Sequence, residues 1–450
     1  MTFVAADLLL EHAAQLATPR DPGPATGPGG PEPLAGRRPA VGEAHVAGFT
    51  RSGPLAGAAQ GEVLVVEDGA VASADGRIVA VGRTAEVRSA VDCSGARVVD
   101  CSGAVLLPGL VDAHTHPVFA GSRLDELAAR LAGATLAEVA ARGGGIGRSV
   151  CLTRAASDAE LERNALAALE SMAAWGTTTV EAKSGYGLTT AEELRALRII
   201  ERLAARAPVG VVPTFLGAHV VPDEFRGNAE GYVAQLIGET IPAVAEQGIA
   251  RSCDVCCEAG YFSVDQSARI LEAAARYGLP ARVHADAWAP SGGYRLAVER
   301  GALSVDHCTH TPLEEIRAAG RGRTVAVLLP AAELVYLETT RAPARTFVEC
   351  GVPVALATDY CSSIDWIPLQ TVAGVGAFWF RLTPAEVLVA VTLNAAYAAG
   401  CAAECGSLEV GKRCDVLVLE GDSYELLVAR LSRNAARHVV HGGRLIKGER

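Results

Sequence analysis

From residue 157 onward, short runs of consecutive apolar residues alternate with longer stretches in which apolar positions recur every three or four residues. The short runs predict buried strands and the longer stretches predict amphipathic helices, with capping residues marking where each helix begins. Ser157 with Glu160 opens a helix that stops at Gly176, and residues 177–182 follow as a β-branched strand. Thr190 with Glu193 caps the next helix, ahead of a strand at 209–214. Ser263 with Gln266 repeats the device before a helix ending at Gly278 and a strand at 281–284. Gly301 ends another helix and leads into 303–306, and the series continues at 324–328 and 354–358. Thr383-Pro384-Ala385-Glu386 opens a late helix with Pro at its first position. Repeated strand–helix units with nearly continuous apolar strands predict a parallel sheet covered on both faces. For a stretch of this length a (β/α)8 barrel fits better than an open sheet.

The flanks have a different texture. Short β-type runs separated by turn residues stand at 63–66, 78–81 and 98–101, and again at 414–420, 438–440 and 444–447. They predict one small β-sandwich domain built from both termini. Residues 19–60 are rich in Pro, Gly and Ala without periodicity, so they read as an insertion or loop. The expected organisation is an N-terminal segment at 1–61, sandwich parts at 62–103 and 409–450, and a metal-dependent barrel at 104–408.

Charge and cysteine usage narrow the function. A formal net charge of −11 with no dense Lys/Arg patch argues against a nucleic-acid surface and leaves a small molecule as the expected partner. No apolar run approaches the length of a membrane span, and the first residues lack a secretory pattern, so the expected location is cytoplasmic. The 12 cysteines are scattered, and Cys253, Cys256 and Cys257 have no second pair at zinc-ribbon spacing. They read as buried thiols in the core.

The chemistry-bearing residues stand at predicted strand ends, where a barrel builds its active site. The stretch 109–116, Gly-Leu-Val-Asp-Ala-His-Thr-His, follows the apolar run at 104–107 and puts two imidazoles at i and i+2, on one side of an extended backbone. Glu181 and Lys183, His219, His284, His307 and Asp359 follow later strands. Three imidazoles and a carboxylate with one position open describe a catalytic metal site. The ligands read from this pattern are His114, His116, His284 and Asp359, around one divalent metal, zinc or iron. Asp359 is also placed to take a proton from water, and His307 to transfer protons and polarise the scissile carbonyl. For His307 and His219 the competing reading is a hydrogen-bonded core histidine.

With these residues in view, the chain resembles the amidohydrolase superfamily, and within it the imidazolonepropionase family. The resemblance is carried by P-G-L-V-D-A-H-T-H-P-V-F-A-G-S-R at 108–123, G-G-G-I at 143–146, E-A-K-S-G-Y-G-L at 181–188 and T-F-L-G-A-H at 214–219. H-A-D at 284–286, S-V-D-H at 304–307, V-A-V-L-L-P at 325–330 and V-T-L-N-A-A-Y at 391–397 extend it, so that it covers most of residues 62–443. H-x-H is shared across the superfamily; K-S-G-Y-G-L with F-L-G-A-H is far more particular. The resemblance implies opening of 4-imidazolone-5-propionate to N-formimidoyl-glutamate, with the same four metal ligands. It further implies that Arg123 and Tyr186 hold an anionic substrate's carboxylate, that His219 contacts the heterocycle and that His307 assists catalysis. Read without it, Arg123 is a solvated charge and Tyr186 a half-buried aromatic.

Two positions leave the family pattern. Ala287 stands where the family has a Glu that hydrogen-bonds the substrate ring, and Tyr360-Cys361-Ser362-Ser363 replaces a Phe-Asn-Pro-Gly-Ser loop that binds the acid end. The two departures predict weak or absent turnover of the imidazolone and, as natural substrate, a related ring with fewer donors or a different tail. The alternatives are therefore hydrolysis of another ring amide, cyclic amidine or imine, deamination of a heterocycle, or a non-catalytic scaffold of the same fold. A homodimer is expected.

Overall fold

The computed structural model describes residues 4–20, 53–320, 322–365 and 368–448; most of the Pro/Gly-rich stretch, 21–52, lies outside them. Eight parallel strands form the central sheet: β1 Leu110–Asp112, β2 Thr177–Lys183, β3 Gly210–Ala218, β4 Ser252–Cys257, β5 Ala281–Ala285, β6 Ser304–His307, β7 Val325–Leu328 and β8 Val354–Leu356. They pair in sequence order, each with the next. Such strands need crossover connections, which the intervening helices supply while covering the outer face. β2 and β4 are buried at every position, because one face lines the barrel and the other meets helices. The sheet closes at its carboxyl end rather than along a ladder. Thr115 and Tyr360 form a parallel bridge, His116 N–H donates to Tyr360 O at 2.8 Å, and Asp359 N–H donates to His114 O at 3.1 Å.

The second sheet also has eight strands and joins the two termini. Its path runs Arg444–Lys447, Ala436–His441, Val416–Glu420, Ala104–Pro108, Leu8–Pro19, Val63–Ala74, Arg77–Arg83, with Arg97–Asp100 paired to Leu8–Pro19. Two differences from the sequence reading follow. Residues 104–107, read as the run leading into the barrel's first strand, belong to this sheet, and β1 begins only after Gly109. The run is apolar throughout because Leu106 faces the sheet's own core while Val105 and Leu107 face the barrel. The sheet also starts earlier than residue 62. Leu8–Pro19 lies at its centre, although its Leu- and Ala-rich sequence, broken by a register shift between Leu10 and Ala13, carries no strand alternation.

Most helix starts are capped as read. Ser157 accepts the Glu160 N–H, Ser263 and Gln266 form a reciprocal box, and so do Thr383 and Glu386, with Pro384 opening the helix. The cap read as Thr190 with Glu193 moves by one residue: Thr189 accepts the Glu192 N–H, which frees Glu193 for the active-site loop described below. The Cys253, Cys256 and Cys257 cluster is a buried part of β4, and all 12 cysteines are free thiols. No described helix is long and apolar enough to cross a membrane.

Candidate active site

His114 and His116 leave β1 with their Nε2 atoms 3.3 Å apart. Asp359, just past β8, brings Oδ1 to 3.5 Å from His114 Nε2 and 3.7 Å from His116 Nε2. His284, inside β5, sets its ring 4.5 Å from that of His114 and 5.7 Å from that of His116. Ligand atoms of His114, His116 and Asp359 lie within 4.8 Å of one another, and so do those of His114, His284 and His307. The four residues read as ligands are thus brought together, and His307 stands close enough to compete for a place among them. Burial drives the basicity of His114 and His116 well below the ordinary imidazole value, with neighbouring cationic groups adding to it. The same causes lower His307 to about 3 and His219 to about 4. Burial raises Asp359 to about 7.

Beneath the imidazoles lies a charged layer that the sequence reading did not assign. Asp306 Oδ2 sits 2.7 Å from His114 Nδ1, and Asp254 Oδ1 sits 3.0 Å from His284 Nδ1. A carboxylate at Nδ1 fixes the tautomer and turns the Nε2 lone pair toward the cavity. Lys183 Nζ donates to Asp254 at 2.7 Å and to Glu181 at 3.0 Å, and Arg282 donates to Asp306 at 3.1 Å and to Ala113 O at 2.6 Å. Two buried cations therefore face three buried carboxylates, before Asp359 is counted. His284 Nε2 has no hydrogen-bond partner among the described residues. Asp286, His307, Cys308 and Asp359 all take positive φ, of 57°, 77°, 57° and 55°. Non-glycine residues seldom occupy that region, and their gathering at the strand ends is the backbone strain that functional sites store.

The cavity above is lined by His116, His284 and His307 together with Arg123, Tyr186, His219, Glu258, Trp288 and Tyr336. Tyr186 rides on the loop after β2, which Glu193 holds by accepting the amides of Gly187 at 2.9 Å and Leu188 at 2.8 Å. His219 Nδ1 donates to Gly185 O at 2.9 Å, so Nε2 is left for the cavity. Its ring stacks on His116 at 5.2 Å. Arg123 is not the solvated charge of the unaided reading. It is 6% exposed, and Glu126 accepts from its Nε at 2.9 Å and lies 2.8 Å from its Nη2. The loop that departs from the family pattern is a built wall of this cavity. Ser362 O accepts the Arg123 N–H at 3.2 Å, the Ser362 and Ser149 hydroxyls are 2.7 Å apart, and Ser363 meets Tyr336 Oη at 2.8 Å.

Sequence reasoning missed Glu258, Tyr336, Trp288 and the carboxylates under the histidines. Asp254, Asp306 and Glu258 each lie on or just beyond a strand, but nothing local to them names the residue that each one meets. Tyr336 and Trp288 come from loops, and only the fold aims them here.

A buried histidine–carboxylate centre stands at the carboxyl ends of a parallel barrel flanked by a sheet from both termini, and the comparisons make the chain a metal-dependent hydrolase acting on a C–N bond. The chain belongs to the amidohydrolase family, whose model matches residues 105–446. It is similar to the imidazolonepropionase of Symbiobacterium thermophilum, 46% identical over 88% of this chain and 94% of that protein. The imidazolonepropionase of Syntrophobacter fumaroxidans is 44% identical over 84% of this chain and 89% of its own length. The chain is accordingly an imidazolonepropionase-like hydrolase. Among solved structures, an adenosine deaminase from Xanthomonas campestris with bound zinc shares the fold at a TM-score of 0.68, with 19% identity over 98% of this chain and 93% of that one. Atrazine chlorohydrolase from Arthrobacter aurescens, complexed with zinc, also matches at 0.68, with 18% identity over 97% and 94%.

Proposed function

We propose that the chain opens the ring of 4-imidazolone-5-propionate to N-formimidoyl-glutamate, with one divalent metal held by His114, His116, His284 and Asp359. The observation that carries this reading is the gathering of His114, His116, His284 and Asp359 at one point while Asp306 and Asp254 occupy the Nδ1 atoms of His114 and His284. A buried Nε2 without a partner, as in His284, is costly unless its lone pair is used. The excess of buried carboxylate over Lys183 and Arg282 favours a cation at the same point. Imidazole and carboxylate donors suit zinc and iron alike. When bound, such an ion acidifies water to a pKa near about 7 and polarises a carbonyl.

The chain's own residues do the rest. Arg123 and Tyr186 hold the propionate, and His219 presents Nε2 to the ring. The water oxygen bonds to the ring carbonyl carbon, the adjacent carbon–nitrogen bond breaks, and the water proton passes by way of Asp359 and His307 to the released nitrogen. A homodimer and a cytoplasmic location, as read from the sequence, complete the proposal; sedimentation of the purified protein checks the first.

The test is metal analysis and ring-opening assays on the purified protein and on His116→Ala. The reading expects near-stoichiometric metal with steady turnover of 4-imidazolone-5-propionate in the parent, and loss of both in the variant. Metal-replete parent protein that leaves the imidazolone intact would overturn the substrate; equal metal in both proteins would overturn the ligand set.

A further inference from the structure

Position 287 leaves a methyl group where a carboxylate was expected, yet the cavity does not lack one. Glu258 follows directly on β4, the strand paired with β5, and so arrives beside residue 287 from the neighbouring strand end. The Ala287 N–H donates to Glu258 Oε1 at 2.6 Å. Glu258 lines the cavity with His116, His219 and His284, is 4% exposed, and its Oε2 has no partner among the described residues. A buried carboxylate oxygen left unpaired is expensive, and here it borders the space the substrate ring must enter.

We propose that Glu258 is the substrate-binding carboxylate of this enzyme, its Oε2 engaging a ring nitrogen of the substrate while Ala287 N–H fixes its other oxygen. The inference rests on the proposed function, because it takes a nitrogen heterocycle to be the ligand. It also removes the reason for expecting weak turnover, since the acceptor that residue 287 fails to provide comes from the adjacent strand.

The experiment compares two ligands with the same acidic tail, imidazole-4-propionate, which has ring nitrogens, and 3-cyclopentylpropionate, which has none. Calorimetry on the metal-replete protein measures both against the parent, Glu258→Ala, Glu258→Gln and the double variant Glu258→Ala/Ala287→Glu. The expected result is an affinity for imidazole-4-propionate lowered about 10- to 100-fold in Glu258→Ala. Binding of 3-cyclopentylpropionate stays unchanged, and the double variant recovers much of the loss. Glu258→Gln, which keeps an acceptor for Ala287 N–H, separates loss of the contact from collapse of the loop. Equal weakening of both ligands, or no weakening of the imidazole, overturns the proposal. If the selective loss appears while the parent leaves 4-imidazolone-5-propionate intact, the substrate reading fails and the role of Glu258 stands. Ring opening with no selective loss upholds the substrate and removes the role of Glu258.

Discussion

Arg123 illustrates how one residue changes meaning with its surroundings. As a lone cation it would be drawn to water, but Glu126 accompanies it into the cavity wall and Ser362 O receives its amide. Glu126 also accepts the Gly145 N–H at 2.9 Å, so the ion pair ties the arginine to the start of the helix Gly145–Ala155. A guanidinium held in this way is a fixed fork for a second carboxylate, that of the substrate. Arg123→Met should therefore raise KM for the anionic substrate about 10- to 150-fold while changing kcat little, because the contact exists in ground and transition states alike. Steady-state kinetics decide it, and an unchanged KM would show that the acid end binds elsewhere. The metal-site candidates were readable one by one from their strand-end positions. Glu258 was not, because nothing in C-C-E-A-G says that its partner is an amide 29 residues later.

At the scale of elements, the join between the two sheets is the critical seam. Ala104–Pro108 and β1 are separated only by Gly109, where the chain leaves one sheet for the other. A Cβ at Gly109 would lie 2.2 Å from Thr178 Oγ1 and 2.4 Å from its methyl, so β1 can approach β2 only because the side chain is a hydrogen. Gly109→Ala should destabilise the fold by about 1 to 3 kcal/mol through overpacking, with part of the loss restored by Thr178→Ala. Urea melts of the two variants test this, and a parent-like midpoint in Gly109→Ala would mean that the strands separate freely. Strands and helix caps were largely legible because their signals are local: Ser157, Ser263 and Thr383 each satisfy an amide three residues on. The shift of the Thr190 cap to Thr189 has a tertiary cause, since Glu193 is drawn to the amides of the Tyr186 loop.

For the whole molecule, the second sheet links the two ends of the chain across the barrel. Val416–Glu420 pairs with Ala104–Pro108, and Leu8–Pro19 pairs with the opposite edge of that strand. Removing residues 409–450 would strip three strands from the sheet and expose an unpaired, wholly apolar edge shortly before His114 and His116. The truncated chain is expected to aggregate or to lose both cooperative melting and metal; a soluble fragment with the parent's Tm and metal content would show that the barrel stands alone. The sequence by itself determined the alternation of strands and helices, the barrel class and the strand-end histidines and aspartate, because these follow from periodicity and from chemistry carried within a few residues. Tertiary structure decided which sheet owns residues 104–108, the central place of Leu8–Pro19, the carboxylates behind His114 and His284, and the Glu258 carboxylate beside Ala287. Each of those depends on strands distant in the chain becoming neighbours, and pairing at that range leaves no mark in the local pattern of apolar and polar residues.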